Sequence, residues 1–245
     1  MLVLGIDLET TGLDTANDRI TELGYALWDT SMGAPVGIFN NLVYEPSMDA
    51  RFTPEACEMM ERVCGITVPM LHTFGIPPDQ AIDQLLAAVQ LYKPEYVIGH
   101  NWENFDGPML TMELKRQGGV LNLPSIDTRT DLPFASEPDS RKLKHLALDC
   151  GFINPFPHRA VSDVLTMLKV LSHYPIEKVI DYSKIPWVTI RADVKFEQKE
   201  LAKARRYSWE KLGDKEYKKC WVKRIKANTL EQEKKESPFS VLVLS

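Results

Sequence analysis

The chain has 245 residues, 44% of them hydrophobic, enough to bury a full core in one domain and carry a small second module, which excludes a disordered tail. Its formal net charge of −5 gives no overall sign of a polyanionic partner, but the charge is unevenly distributed. Residues 1–194 hold 15 Lys and Arg against 26 Asp and Glu, a net of −11, whereas residues 195–235 hold 14 against 7, a net of +7.

Cys57, Cys64, Cys150 and Cys220 show no paired CxxC spacing, so neither a zinc ribbon nor a disulfide framework is expected, and a reducing compartment fits best. The first residues carry no positively charged lead, and no apolar run approaches the roughly 20 residues of a membrane helix. A soluble, cytoplasmic protein is expected.

In chain order, residues 2–6 form a short apolar run ending in charge, the pattern of a buried central strand. Two more strands are predicted at 20–28 and 36–44, separated by a turn around Gly33. Helices follow at 54–63 and 78–91, stopped by Gly65 and Pro94; the second carries Ile82, Leu85, Leu86 and Val89 on one face. A strand at 96–99 feeds a helix over 105–116 that Gly118 and Gly119 close, and further helices are predicted at 142–150 and 159–172. Antiparallel strands followed by alternating strand and helix predict an α/β fold with a mixed sheet. The proline-punctuated stretch 174–186 reads as irregular and marks a boundary. Beyond it the pattern predicts a strand at 187–192, a helix at 197–206, and strands at 220–225 and 239–244.

Asp7 and Glu9, at i and i+2 in a strand, project to the same side at its C-terminal end. Two carboxylates this close repel unless a cation lies between them, and an oxygen-rich site without Cys suits Mg²⁺ or Mn²⁺ better than Zn²⁺. Asp106 opens the helix after the 96–99 strand, at the strand-to-helix edge where α/β sheets place ligands. Asp163 lies on the helix after the Asn154-Pro155-Phe156-Pro157 loop, with His158 five residues before it. Singly these residues read as a solvated strand end, a helix N-cap and a surface histidine. Read together, they do not.

The segments Ile6-Asp7-Leu8-Glu9-Thr10-Thr11-Gly12-Leu13, Gly99-His100-Asn101-Trp102-Glu103-Asn104-Phe105-Asp106 and His158-Arg159-Ala160-Val161-Ser162-Asp163 resemble, in order, the three motifs of the DnaQ-like (DEDDh) 3′-to-5′ exonucleases. Asp127-Thr128 and residues 143–149 resemble that family too, and the likeness spans roughly residues 1–175. Two departures stand out. Three residues separate Asn101 from Phe105 where many members have two, and Cys64 precedes Gly65-Ile66-Thr67 where many have histidine.

The resemblance implies a ribonuclease H-like fold, a mixed five-stranded sheet with helices on both faces, over an exonuclease domain of residues 1–180. It implies that Asp7, Glu9, Asp106 and Asp163 hold two Mg²⁺ ions, for which Mn²⁺ substitutes, flanking the scissile phosphate. Asp7 bridges both, and His158 takes the proton of the attacking water. The product is then a nucleoside 5′-monophosphate from a DNA 3′ end, single-stranded or frayed. Thr10, Thr11, Leu13 and Asn101 are the implied substrate contacts.

Residues 187–245 form a small α+β module in which Phe196, Tyr207, Trp209, Tyr217 and Trp221 alternate with cations, the composition single-stranded nucleic acid needs. The competing account makes Lys199, Lys203 and Arg206 a solvated helix face, and Trp209 and Trp221 a small core. The module resembles C-terminal extensions of ExoX-like and phage exonucleases, which implies a bacterial or phage-infected cytoplasm. An RNA-directed 3′ exonuclease, a proofreading subunit bound to a polymerase, and a homodimer stay open as alternatives; no membrane partner is expected.

Overall fold

A computed structural model describes residues 1–136, 138–211 and 219–244. The chain divides into two compact units, Met1–Ser183 and Lys184–Ser245. In the first, strands β1 (Leu2–Thr10), β2 (Ile20–Asp29) and β3 (Ala34–Leu42) form an antiparallel meander, and β4 (Tyr96–Gly99) and β5 (Ser125–Asp127) add parallel neighbours, giving the order β3-β2-β1-β4-β5. The helices are α1 (Pro54–Cys64), α2 (Val68–Phe74), α3 (Pro78–Tyr92), α4 (Asp106–Arg116), α5 (Leu143–Asp149), α6 (Ala160–Leu171) and α7 (Ile176–Ser183). This is the mixed, five-stranded α/β arrangement the motifs implied.

Strand alternation sorts the central strand between two cores. Leu4, Ile6 and Leu8 join Tyr25, Val97 and the buried faces of α3 and α4, including Ile82, Leu85, Met109 and Leu110. Val3 joins Ala26, Trp28 and Ile98 against Val164, Leu168 and Val179 of α6 and α7. Gly5 follows Val3 on that second face, where an added Cβ would lie 2.7 Å from Leu168, so α6 rests almost directly on β1. The next residues on the same face are Asp7 and Glu9.

In the second unit, β6 (Trp187–Asp193), β7 (Ser208–Lys211), β8 (Lys219–Lys226) and β9 (Ser240–Val243) form an antiparallel sheet ordered β7-β8-β6-β9, with helices α8 (Lys199–Ala204) and α9 (Leu230–Glu236). Its core is Ile190, Ala192, Ala202, Tyr207 and Ile225. Buried Glu233 ties the unit together, accepting from Arg205 Nη2 at 2.8 Å and Lys223 Nζ at 3.1 Å. No helix among the described residues is long and apolar enough to cross a membrane.

Several elements differ from the sequence reading. The stretch taken as irregular contains α7: Pro175 precedes its first residue, where a missing N–H costs nothing, and Ile176, Val179 and Ile180 are buried at helical spacing. The helix expected over 197–206 is a 3₁₀ turn, Phe196–Gln198, followed by the shorter α8, and Arg206 leaves it at φ 62°. Trp209 and Trp221 pair at 5.3 Å between ring centroids, but Trp209 is half exposed, and only Trp221 packs on the core. Tyr217 lies outside the described residues.

Candidate active site

β1 carries Asp7 and Glu9 past its apolar half, and in the antiparallel register they face Gly24 and Glu22 of β2. Asp106 begins α4, is 3% exposed, and its Oδ1 accepts the backbone N–H of Leu8 at 3.1 Å. The loop before α4 bends through Asn101, at φ 71°, and buried Asp127 holds that bend by accepting the Asn101 N–H at 2.8 Å. Arg129 in turn donates to Asn101 Oδ1 at 2.8 Å.

Asp163 lies in the first turn of α6. The His158 N–H donates to its Oδ2 at 3.0 Å, and Asn154 Nδ2 makes a short hydrogen bond to its Oδ1. Asn154 is fixed by accepting from Ser162 Oγ at 2.6 Å and from the Phe156 N–H at 3.0 Å.

These segments converge on one cleft of about 470 Å³ lined by Asp7, Glu9, Asp106, His158 and Asp163, together with His100, Asn101, Arg129 and Lys142. One donor atom each from Glu9, His158 and Asp163 lies within 4.8 Å of the others. Of the other four residues expected to contact substrate, Asn101 alone lines the cleft. Thr10 Oγ1 is turned to the Gly12 carbonyl at 2.6 Å, Thr11 Oγ1 donates to Asp18 at 2.9 Å, and Leu13 is 84% exposed.

Burial and mutual repulsion raise every carboxyl of the cluster. Asp7 is held well above the usual range by burial, then by Asp106, Asp163 and Glu9. Glu9 is pushed up to about 8 by burial and then by Glu22 and Asp163. Burial takes Asp106 to about 7 against the opposing Leu8 N–H, and it raises Asp163 against the His158 N–H. Carboxyls that line one cleft and repel one another are hard oxygen donors of the kind a divalent cation prefers. His100 behaves oppositely: burial, then Arg129, push it down to about 4, and its Nδ1 lies 3.0 Å from Thr128 Oγ1.

Sequence reasoning passed over Glu22, Asn154 and Asp127 as functional residues. Glu22 left a trace, a single acid within the mostly apolar run 20–28 of β2. Asp127, the last residue of β5, stands out only as part of the family-like Asp127-Thr128 pair, and Asn154 sits in a loop with no such contrast.

A mixed sheet whose central strand delivers paired carboxylates to a cleft completed by α4 and α6 defines a nuclease of the metal-dependent exonuclease class. The RNase T model, described as exonuclease, matches residues 4–171. The chain belongs to this exonuclease family and is a phosphodiester hydrolase acting on nucleic acid 3′ ends; enzymes of the DEDDh type require divalent metal ions.

Among solved structures, the fold is similar to E. coli exonuclease I in complex with a dA16 oligonucleotide, at 15% identity and TM-score 0.64, over 98% of this chain and 68% of that one. The nuclease domain of 3′hExo, a DEDDh family member bound to rAMP, is similar over 70% of this chain and 90% of its own, at 13% identity and TM-score 0.58. A 3′-exonuclease that recognises the 3′ end of the histone mRNA stem-loop is similar over 70% of this chain and 80% of its own, at 15% identity and TM-score 0.56. No curated protein matches by sequence.

Proposed function

We propose that the protein removes nucleotides from DNA 3′ ends by two-metal-ion hydrolysis, releasing nucleoside 5′-monophosphates, with Asp7, Glu9, Asp106 and Asp163 as metal ligands and His158 as general base. The convergence of four carboxylates and one solvent-facing imidazole in a single cleft carries this reading. The donor set fits Mg²⁺, with Mn²⁺ as a substitute. Bound there, the ions supply charge neutralisation at the scissile phosphate and a more acidic water.

The residues of the chain account for the remaining steps. Asp7, which feels Asp106, Asp163 and Glu9 together, would hold the ions with those three carboxylates. His158, tethered through its own N–H to Asp163, takes the proton of the attacking water. Arg129 and Lys142, which share the cleft, meet phosphates of the bound strand. Asn101 and the exposed Leu13 contact the terminal nucleotide, with Thr10 and Thr11 shaping the turn between them.

The second unit adds affinity for single strands. Arg224 lies 5.1 Å from the Trp187 centroid and Lys199 4.4 Å from the Phe196 centroid, so cations and aromatic faces are presented together. The similarity to exonuclease I bound to dA16, which runs through this unit as well, favours DNA. An RNA substrate is the second reading, supported by the similarity to the histone mRNA exonuclease. Incubation with Mg²⁺ and single-stranded DNA, duplex DNA or RNA, labelled at either end, separates them: stepwise shortening from the 3′ end of single-stranded DNA is expected, and faster degradation of RNA would overturn the DNA assignment.

A further inference from the structure

Glu22 is fully buried on β2, directly opposite Glu9, and the reaction as described does not use it. Its Oε1 accepts from Arg159 Nη2 at 2.6 Å and Arg159 Nε at 3.1 Å, and from Asn40 Nδ2 at 2.9 Å. Its Oε2 accepts Arg159 Nε at 3.1 Å and the backbone N–H of Ala160 at 2.9 Å. Ala160 opens α6, and its N–H is one of the donors a helix start leaves without an internal partner. Arg159, at the N-cap, gives that turn no side-chain cap of its own, so Glu22 satisfies it from the neighbouring strand.

The residue before Arg159 is His158, at φ 61°, a left-handed conformation that a residue with a Cβ holds only when its surroundings impose it. The approach of α6 to β2 allows this: a Cβ at Gly24 would lie 2.4 Å from Val161 N and 2.6 Å from the Ala160 carbonyl carbon. Arg159 also offsets part of the repulsion that Glu22 exerts on Glu9.

We propose that Glu22 is a positioning residue, gripping Arg159 and the first amide of α6 so that His158 is presented to the carboxylate cluster. This rests on His158 being the general base. Glu22→Gln keeps the shape but loses the charged, two-oxygen grip, and Arg159→Lys keeps the charge but loses the fork. Each should lower kcat about 10-fold to 100-fold, the scale of lost supporting contacts, with KM within about threefold.

In a His158→Ala background either change should cost less than about twofold, because the residue it positions is gone. A merely structural Glu22 would cost the same factor in both backgrounds, and that result, or full turnover in the folded single variants, overturns the proposal. If Glu22→Gln does not fold, the Arg159→Lys cycle decides alone. If His158→Ala itself keeps wild-type turnover, the base assignment fails and this proposal with it, whereas a normal His158→Ala loss beside an inert Glu22→Gln removes only the positioning role.

Discussion

The Leu8 amide, between Asp7 and Glu9 on β1, donates to Asp106 Oδ1 at 3.1 Å, so the carboxylate that opens α4 is pinned to the strand carrying the first two. The two changes that remove this acid therefore differ. Asp106→Asn and Asp106→Ala should both lose more than about 10²-fold in turnover with Mg²⁺. The Asn variant retains an acceptor for Leu8 and sheds repulsion, so without metal its thermal midpoint should hold or rise. The Ala variant leaves a buried N–H unpaired and should be about 1–3 kcal/mol less stable than Asn. Matched unfolding curves in EDTA test this, and equal stabilities would show that the bond contributes nothing.

His158→Ala should lose roughly 10²-fold in kcat even at saturating Mg²⁺, with little change in the Mg²⁺ needed for half-maximal rate. Because His158 lies within 4.8 Å of donor atoms on Glu9 and Asp163, a metal titration is the relevant control. Turnover restored by excess Mg²⁺ would make His158 a ligand instead. His100→Ala should cost far less, since a group pushed down to about 4 is a weak base at neutral pH.

The Glu233 pair sets an acid limit on the second unit. Burial would raise this carboxyl, but the hydrogen bonds from Arg205 and Lys223 outweigh it and push it down to about 2. A carboxylate lowered on folding adds stability above its ordinary value near 4.5, and loses it as pH falls from there towards 2. Glu233→Gln should be less stable at pH 6, by about 3 kcal/mol or less, and the gap from wild type should have narrowed strongly by pH 2.5. Urea unfolding at the two pH values measures it, and a constant gap would rule the pairing out as its cause.

Lys219 and Arg224 are exposed on β8. If the second unit tracks a strand, replacing both with Ala should raise KM on long single-stranded DNA while leaving turnover of a dinucleotide unchanged. It should also flatten the slope of log affinity against log salt by roughly 0.7 per lost phosphate contact. An unchanged slope would argue against phosphate binding by these two residues.

Much of the catalytic unit was legible because its signals are local and periodic. The 78–91 helix, the 96–99 strand and the helix into which Asp106 leads each follow from one apolar pattern with a clear stop, and the structure shows them within a residue or so. The second unit was harder to read. α9 has no apolar face to detect; it is held by Glu233 reaching Arg205 and Lys223, partners 28 and 10 residues away. β7 is exposed along its whole length, so no alternation announces it. At the site, the carboxylates could be read from their motifs, whereas Asn154 and Glu22 act through contacts that only folding brings about. Thr10 and Thr11 show the reverse case: the motif sets them directly after Glu9, but both hydroxyls are turned into their own loop.

The separation between β1 and α6 also bears on how the enzyme is made. Asp7 and Asp163 lie on elements that pack face to face, yet a ribosome must deliver nearly the whole domain before the second of them emerges. A nascent chain stopped after α5 has β1 and α4 in hand but neither His158 nor Asp163, and its central strand lacks the helix that covers it. Such long-range closure is slow compared with helix formation. If Asp163 and His158 act as proposed, hydrolytic capacity arrives only once α6 has closed on β1, late in the synthesis of the domain.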